Sequence, residues 1–181
     1  MSYYILEKLK NELLLSDAEI EFAINKAKGI LLGYAMEYRA CKILERYNFK
    51  NIKYVNLPTH DIEAEKEGEK YYIEVKATSK SPTREYTAHK VVMIALLDGT
   101  HLTLLMKPKE ELYLTRQILS EPKRVLYDFF KTLRTRGEVE AIRFIENPIH
   151  YNILKSYQRV LFTYKNLLTK KIIELLNISS Y

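Results

Sequence analysis

Apolar residues recur at helical spacing over much of the N-terminal third of the chain. Ile20, Ile24, Ala27, Leu31, Tyr34, Tyr38 and Cys41 form one stripe, which predicts a long helix from Ser16 to about Tyr47. Ser16 stands where an N-cap belongs, with Glu19 at capping-box spacing. A neighbouring face carries Gly33, Glu37, Ala40 and Leu44, and its small residues predict close approach to a sheet. Upstream, residues 3–15 read as a short amphipathic helix through Ile5, Leu9 and Leu13.

The period then changes to that of strands. Runs at Asn51–Leu57, His60–Lys66 and Lys70–Ala77 predict three strands, the last two joined as a hairpin by Glu67-Gly68-Glu69. A helix is expected from about Arg84 to Leu97, stopped by Asp98-Gly99, and Leu102–Met106 predicts a strand ended by Pro108. A helical crossover would place this strand parallel to the third, giving an α/β core over about residues 17–107. Beyond it, a helical addition is expected over about 110–181. Glu110–Leu119 and Pro122–Arg134 read as helices, and Val139–Glu146 fits either strand or helix. Asn152–Asn177 carries a long stripe from Ile153 to Leu176, to be covered by the core or by a second copy in a homodimer through this C-terminal helix.

Composition narrows the class. The 181 residues, 47% hydrophobic and 29% charged, suit one globular domain. No apolar run approaches the roughly 20 residues needed to cross a bilayer, so no membrane partner is expected. The opening MSYYILEKLK lacks a signal-peptide layout, and the single cysteine, Cys41, excludes an intramolecular disulfide and a Cys-cluster metal site. Cytoplasmic residence is the expectation. A formal net charge of +6 favours an anionic partner without deciding on one.

The chemistry concentrates between His60 and Lys76, HDIEAEKEGEKYYIEVK. In a strand, Glu74 and Lys76 point to one side and Val75 to the other. A hairpin would bring Asp61 to the same spot. Two carboxylates there make a hard oxygen site for Mg²⁺ or Mn²⁺, beside an ammonium able to hold a phosphate. As a plain surface ion pair these residues would contribute little. However, Tyr71, Ile73, Val75 and Ala77 already supply the apolar face of the strand, so a sheet covered on both sides would half-bury Glu74 and Lys76.

Three segments, Gly33-x-x-x-Glu37-x-x-Ala40, Pro58-Thr59-His60-Asp61 and Glu74-Val75-Lys76-Ala77-Thr78, in the order helix, three strands, helix, strand, resemble the PD-(D/E)xK nuclease superfamily with its restriction-endonuclease-like αβββαβ core. The resemblance covers about residues 30–107. It implies a mixed sheet flanked by helices and a Mg²⁺-dependent DNA endonuclease leaving a 5′-phosphate and a 3′-hydroxyl. Asp61, Glu74 and the Val75 carbonyl would bind the ion, Glu37 would be a further acidic ligand, and Lys76 would orient or activate the attacking water. Among the branches of the family, the helix-borne Glu37 is similar to Holliday-junction resolvases. A nuclease of an archaeal virus or mobile element and a type II restriction enzyme are the alternatives.

DNA would be held by the polar segment after the triplet, through Thr78, Lys80, Arg84, His89 and Lys90. A second basic set is Lys123, Arg124, Lys131, Arg134 and Arg136, and a third is Lys155 and Arg159. Glu63 falls beside the site, and the 15 tyrosines are expected mostly in the core or on amphipathic surface rather than stacked on bases. The rival from another class is a non-catalytic DNA-binding or assembly protein that keeps the nuclease fold.

Overall fold

The computed structural model describes residues 2–77, 86–107 and 109–178. Helix α1 (Ser2–Leu13) leads into the 30-residue α2 (Asp17–Arg46). The expected capping box opens α2: the Ser16 hydroxyl accepts from the Glu19 N–H at 3.3 Å, and the Glu19 carboxylate accepts from the Ser16 N–H at 2.8 Å. Asn48, at φ 63°, ends it in the left-handed conformation that asparagine tolerates.

Strands β1 (Lys50–Tyr54), β2 (Ile62–Lys66) and β3 (Glu69–Lys76) follow. Lys66 pairs with Glu69, so β2 and β3 are joined by the two-residue turn Glu67-Gly68, with φ 55° and 81°. Two positive φ values make a type I′ turn, whose twist matches that of the strands. Helix α3 (Ala88–Ala95), N-capped by Thr87, crosses to β4 (Thr100–Leu105), which lies parallel to β3. The result is a five-stranded mixed sheet in the order β1-β2-β3-β4-β5, flanked by helices.

Strand β5 (Glu111–Leu114) replaces the first half of the helix expected over Glu110–Leu119; only α4 (Thr115–Ile118) is helical there. The reason is the buried edge of β4. Thr103, Leu104 and Leu105 are all covered, and their outer backbone groups need partners, which the antiparallel β5 supplies. That requirement outweighs the helical propensity of Glu and Leu.

One face of the sheet packs on α2. Met36, Ala40, Ile43 and Leu44 meet Ile62, Ala64, Ile73, Leu102 and Leu104. Gly33 makes no close approach, since a Cβ built there would meet nothing within 4 Å. The helix has left the sheet by that point, so Leu31 and Tyr34 of the expected stripe are exposed, as are Ile5, Leu9 and Leu13 of α1, while Tyr38, between the packed Met36 and Ala40, is exposed because it lies on another face of the helix.

The other side builds a second core. Helices α5 (Glu121–Arg136), α6 (Glu138–Glu146), α7 (Pro148–Ser156), α8 (Gln158–Thr163) and α9 (Lys170–Leu175) gather with α3 around Phe129, Phe130, Ile94 and Leu154. Val139–Glu146 is therefore helical. The expected single helix over Asn152–Asn177 is broken at Tyr157, Tyr164 and Leu168, where the backbone leaves helical angles. Its stripe turns into this chain's own core through Leu154, Val160, Leu161, Leu168, Ile172 and Leu176, while Leu167 and Leu175 stay exposed. Among the described residues no helix is long and apolar enough to cross a membrane.

Candidate active site

The β2–β3 register extends one step past Ile62↔Ile73, which sets Asp61 opposite Glu74. The Asp61 N–H donates to the Ile73 carbonyl at 3.0 Å, and the Asp61 carbonyl accepts from Val55 and Asn56 at 2.9 and 3.2 Å. Its side chain takes the next rung of the ladder: Oδ2 accepts from the Val75 N–H at 2.7 Å. Burial first, then the charge of Glu74, pushes the Asp61 carboxyl up to about 6, with the Val75 bond and Lys76 pulling the other way and Glu37 adding to the rise.

Glu74 is only 4% exposed. Its Oε1 receives two ammoniums, Lys76 Nζ at 2.6 Å and Lys90 Nζ at 2.8 Å, while Oε2 is buried with no hydrogen-bond partner. Lys90 was expected as a phosphate contact. It stands in the carboxylate cluster, because Thr87 caps α3 and aims its first turn at β3. Tyr86 forms the floor, fully buried, with its ring centre 6.0 Å from Lys76 Nζ and 5.8 Å from Lys90 Nζ.

Below this floor runs a buried polar chain. Tyr86 Oη lies 2.6 Å from Thr103 Oγ1, Thr103 Oγ1 lies 2.7 Å from Thr115 Oγ1, and Thr115 Oγ1 lies 2.7 Å from His101 Nδ1. His101 Nε2 ends it, 2.8 Å from the Thr59 carbonyl. A carbonyl only accepts, so Nε2 carries the proton and Nδ1 accepts from Thr115. Each hydroxyl then donates toward the histidine in turn, starting from Tyr86. Burial pushes the His101 ring down to about 4, in keeping with the neutral tautomer this chain requires. The network fixes Thr59, two residues before Asp61. Neighbouring His60 is also buried and lowered by that burial; its Nε2 lies 3.4 Å from Glu63 without hydrogen-bond alignment.

Asp61, Glu74 and Lys76 thus come together as expected, while Glu63 faces His60 and Lys70 at 3.4 and 3.9 Å. Glu37 does not complete a set of three: among the described residues, no three His, Cys, Asp or Glu side chains are arranged to hold a metal ion. Glu37 lines a separate concavity with Tyr34, Tyr38, Cys41 and Tyr54. Thr78, Lys80 and Arg84 lie outside the described residues. His89 turns away from the cluster, its ring 5.9 Å from that of Tyr164. In the second basic set, Lys131 and Arg134 donate to the Leu97 and Leu96 carbonyls at the end of α3, so they cap a helix. Lys155 donates to the Tyr151 hydroxyl at 3.2 Å.

The donor set suits a divalent cation. Two facing carboxylates, one with an unpartnered buried oxygen and one held up to about 6, are each relieved by a hard positive charge. Val75 uses its N–H toward Asp61, and a strand residue points its N–H and C=O the same way, so its carbonyl faces the same edge.

Sequence reasoning placed Lys90 near the site without its contact to Glu74, and missed Tyr86 and the His101–Thr115–Thr103 chain. The distance in sequence between Lys76 and Lys90 hid that contact and Tyr86, and the unforeseen β5 hid Thr115. No protein-family model, curated protein or solved structure matches the chain.

Proposed function

We propose that the chain is a divalent-metal-dependent deoxyribonuclease working at Asp61, Glu74 and Lys76. The observation that carries this reading is the buried pairing of two carboxylates, Asp61 and Glu74, with an ammonium two residues along the same strand face. Keeping such a group of charges out of water costs stability, so it needs a use. The element order of α2, β1, β2, β3, α3 and β4 supports a restriction-endonuclease-like core around it.

Asp61 and Glu74, with the Val75 carbonyl, would hold Mg²⁺ or Mn²⁺. The ion would supply Lewis-acid polarisation of a phosphoryl oxygen and a bound water of lowered pKa. The chain's own part is electrostatic. Lys76 and Lys90 offset the negative charge that builds on the phosphorus oxygens, and Tyr86 and the polar chain beneath keep both from drifting. The net charge of +6 favours a polyanionic substrate.

The test incubates the protein with Mg²⁺ or Mn²⁺ and labelled linear, single-stranded, flapped and four-way-junction DNA, alongside Glu74→Ala and Lys76→Ala. Cutting of at least one substrate by the wild type and by neither variant is expected. No cutting at all, or equal cutting by the variants, would overturn the proposal.

A further inference from the structure

Three tyrosines of this chain stand where no core needs them. Tyr34 and Tyr38, one turn apart on α2, and Tyr54, at the end of β1, are 52%, 69% and 45% exposed. With Glu37 and Cys41 they line a concavity of about 320 Å³. None of the three rings is part of either hydrophobic core. An open slot lined by phenol rings suits something flat.

The carboxylate in the slot narrows the ligand. The Tyr54 phenol is pushed up to about 12, first by its hydrogen bond to Glu37 and then by burial and the charges nearby. Glu37 Oε2 is buried without a partner. A carboxylate oxygen accepts, so a ligand that reaches Glu37 brings an N–H or O–H donor on its edge. A flat ring with a donor edge describes a nucleobase bearing an exocyclic amino group: cytosine, adenine or guanine. Thymine's ring N–H also donates, but it lies between two carbonyl oxygens that would face the Glu37 carboxylate, so thymine fits less well than a base with an amino group at its corner. A cationic ligand is a poorer fit, because Lys42 Nζ already lies 5.0 Å from the Tyr38 ring centre, where it would repel a cation and attract a nucleotide's phosphate.

The slot adjoins the carboxylate cluster. The residues after Tyr54, Val55 and Asn56, donate their N–H groups to the Asp61 carbonyl, and the Tyr54 phenol feels the charge of Asp61. A base paired in a duplex cannot enter, since both of its faces are stacked and its donor edge is used. We propose that Tyr34, Tyr38, Tyr54 and Glu37 form a pocket for one unpaired, amino-bearing base of the strand held at Asp61 and Glu74. This deepens the nuclease reading and rests on it for the strand's position: the substrate presents an unpaired base beside the bond to be cut.

The experiment measures binding in EDTA, where no cutting occurs, by fluorescence anisotropy with labelled oligo-dC, oligo-dA, oligo-dT and a matched duplex. Oligo-dC and oligo-dA should bind about 5-fold or more tighter than oligo-dT, in the range of one hydrogen bond to a carboxylate. Tyr38→Leu and Tyr34→Leu should weaken binding of the single strands by a similar factor and leave the duplex unchanged. Glu37→Gln, which donates as well as accepts, should bring oligo-dT level with oligo-dC. All three positions lie away from the cores, so unchanged melting curves separate loss of the pocket from loss of the fold.

Equal binding of all three oligonucleotides, a preference that survives Tyr38→Leu, or tighter binding of the duplex would overturn the pocket. Competition by tetramethylammonium, or capture of a trimethyl-lysine peptide in place of DNA, would overturn it as well. The two readings part cleanly. A protein that prefers oligo-dC but cuts nothing with metal keeps the pocket and loses the nuclease. One that cuts DNA with no base preference does the reverse.

Discussion

Asp61 Oδ2 accepts a hydrogen bond from the Val75 N–H at 2.7 Å, so a side chain occupies the rung where the backbone of β2 stops. This relationship sets the geometry of the cluster. It orients one carboxyl oxygen into the sheet and faces the group toward Glu74, where burial and then the Glu74 charge push the carboxyl up to about 6 against the pull of the Val75 bond itself.

The pH dependence follows from that rise. Asp61 binds its proton more tightly folded than unfolded, so it favours the fold at low pH, and this contribution is lost as pH climbs from the ordinary carboxylate range through about 6. Above that pH the ionised group is a burden. Asp61→Asn keeps an acceptor for Val75 without the charge, and should raise stability by on the order of 1 kcal/mol at neutral pH, allowing for partial exposure. Urea unfolding at neutral pH and at pH 5 measures it. If the cluster holds Mg²⁺ as proposed, the ion should raise the melting temperature of the wild type, a rise that should fade below about pH 6 and be lost in the same variant. A variant that is less stable at neutral pH would contradict the account.

The two ammoniums on Glu74 Oε1 should prove non-additive. Removing the sole partner of a buried charge costs about 3–5 kcal/mol, but here Lys76 and Lys90 each remain to cover the loss of the other. Lys76→Met and Lys90→Met should each cost about 1–2 kcal/mol, and the double variant clearly more than their sum. The double variant joined to Glu74→Gln should recover much of that loss. Denaturant midpoints across this cycle test the sharing, and strict additivity would show that one lysine is a bystander.

His101 should dominate the acid side. Its folded pKa of about 4 lies below the ordinary histidine value, so the unfolded chain takes up a proton that the fold refuses. Stability should fall as pH drops from about 6.5 to 4, by up to about 3 kcal/mol, opposite in sign to the Asp61 effect over the same window. His101→Gln, whose amide can donate to Thr59, should flatten this slope. As a positioning residue it should also reduce the Mg²⁺-induced stabilisation, because Thr59 anchors the loop that presents Asp61. An unchanged acid slope in the variant would place the titration elsewhere, with His60 the next group to examine.

The parts of the site visible in the sequence are those carried by regular elements of short period. The alternation through Tyr71, Ile73 and Val75 fixed the faces of β3, and hence the side shared by Glu74 and Lys76. The Glu67-Gly68 turn set the register that brings Asp61 opposite Glu74. What stayed hidden depends on how far the chain travels between elements. Lys90 reaches Glu74 only because α3 packs with its first turn against β3, which spacing alone does not tell. The Glu and Leu of Glu111–Leu114 favour a helix locally, and only the open edge of β4 recruits the segment as β5. The stripe on α2 gave its period correctly but not its partner: the sheet takes Met36, Ala40 and Ile43, one face round, and leaves Tyr34 and Tyr38 in solvent.

Two glycines in turns should fail in different ways, and the difference bears on the site. A Cβ at Gly99 would come within 2.3 Å of the Lys70 carbonyl oxygen, a backbone atom of β3, and within 3.0 Å of the Tyr72 ring. Gly68, at φ 81°, has open space around it and only a dihedral reason to be glycine. Gly68→Ala should therefore cost about 1 kcal/mol and leave the cluster intact. Gly99→Ala must push the start of β4 away from β3, just where Thr100 pairs with Tyr71, at a cost of about 1–3 kcal/mol or more. That displacement runs along β4 to His101 and Thr103, the two members of the polar chain that hold Thr59 and Tyr86. Gly99→Ala should accordingly lose most of its Mg²⁺-induced stabilisation at a temperature where it is still folded, while Gly68→Ala keeps it. Equal retention in both variants would mean that the register of β4 does not control the placement of Asp61 and Lys76.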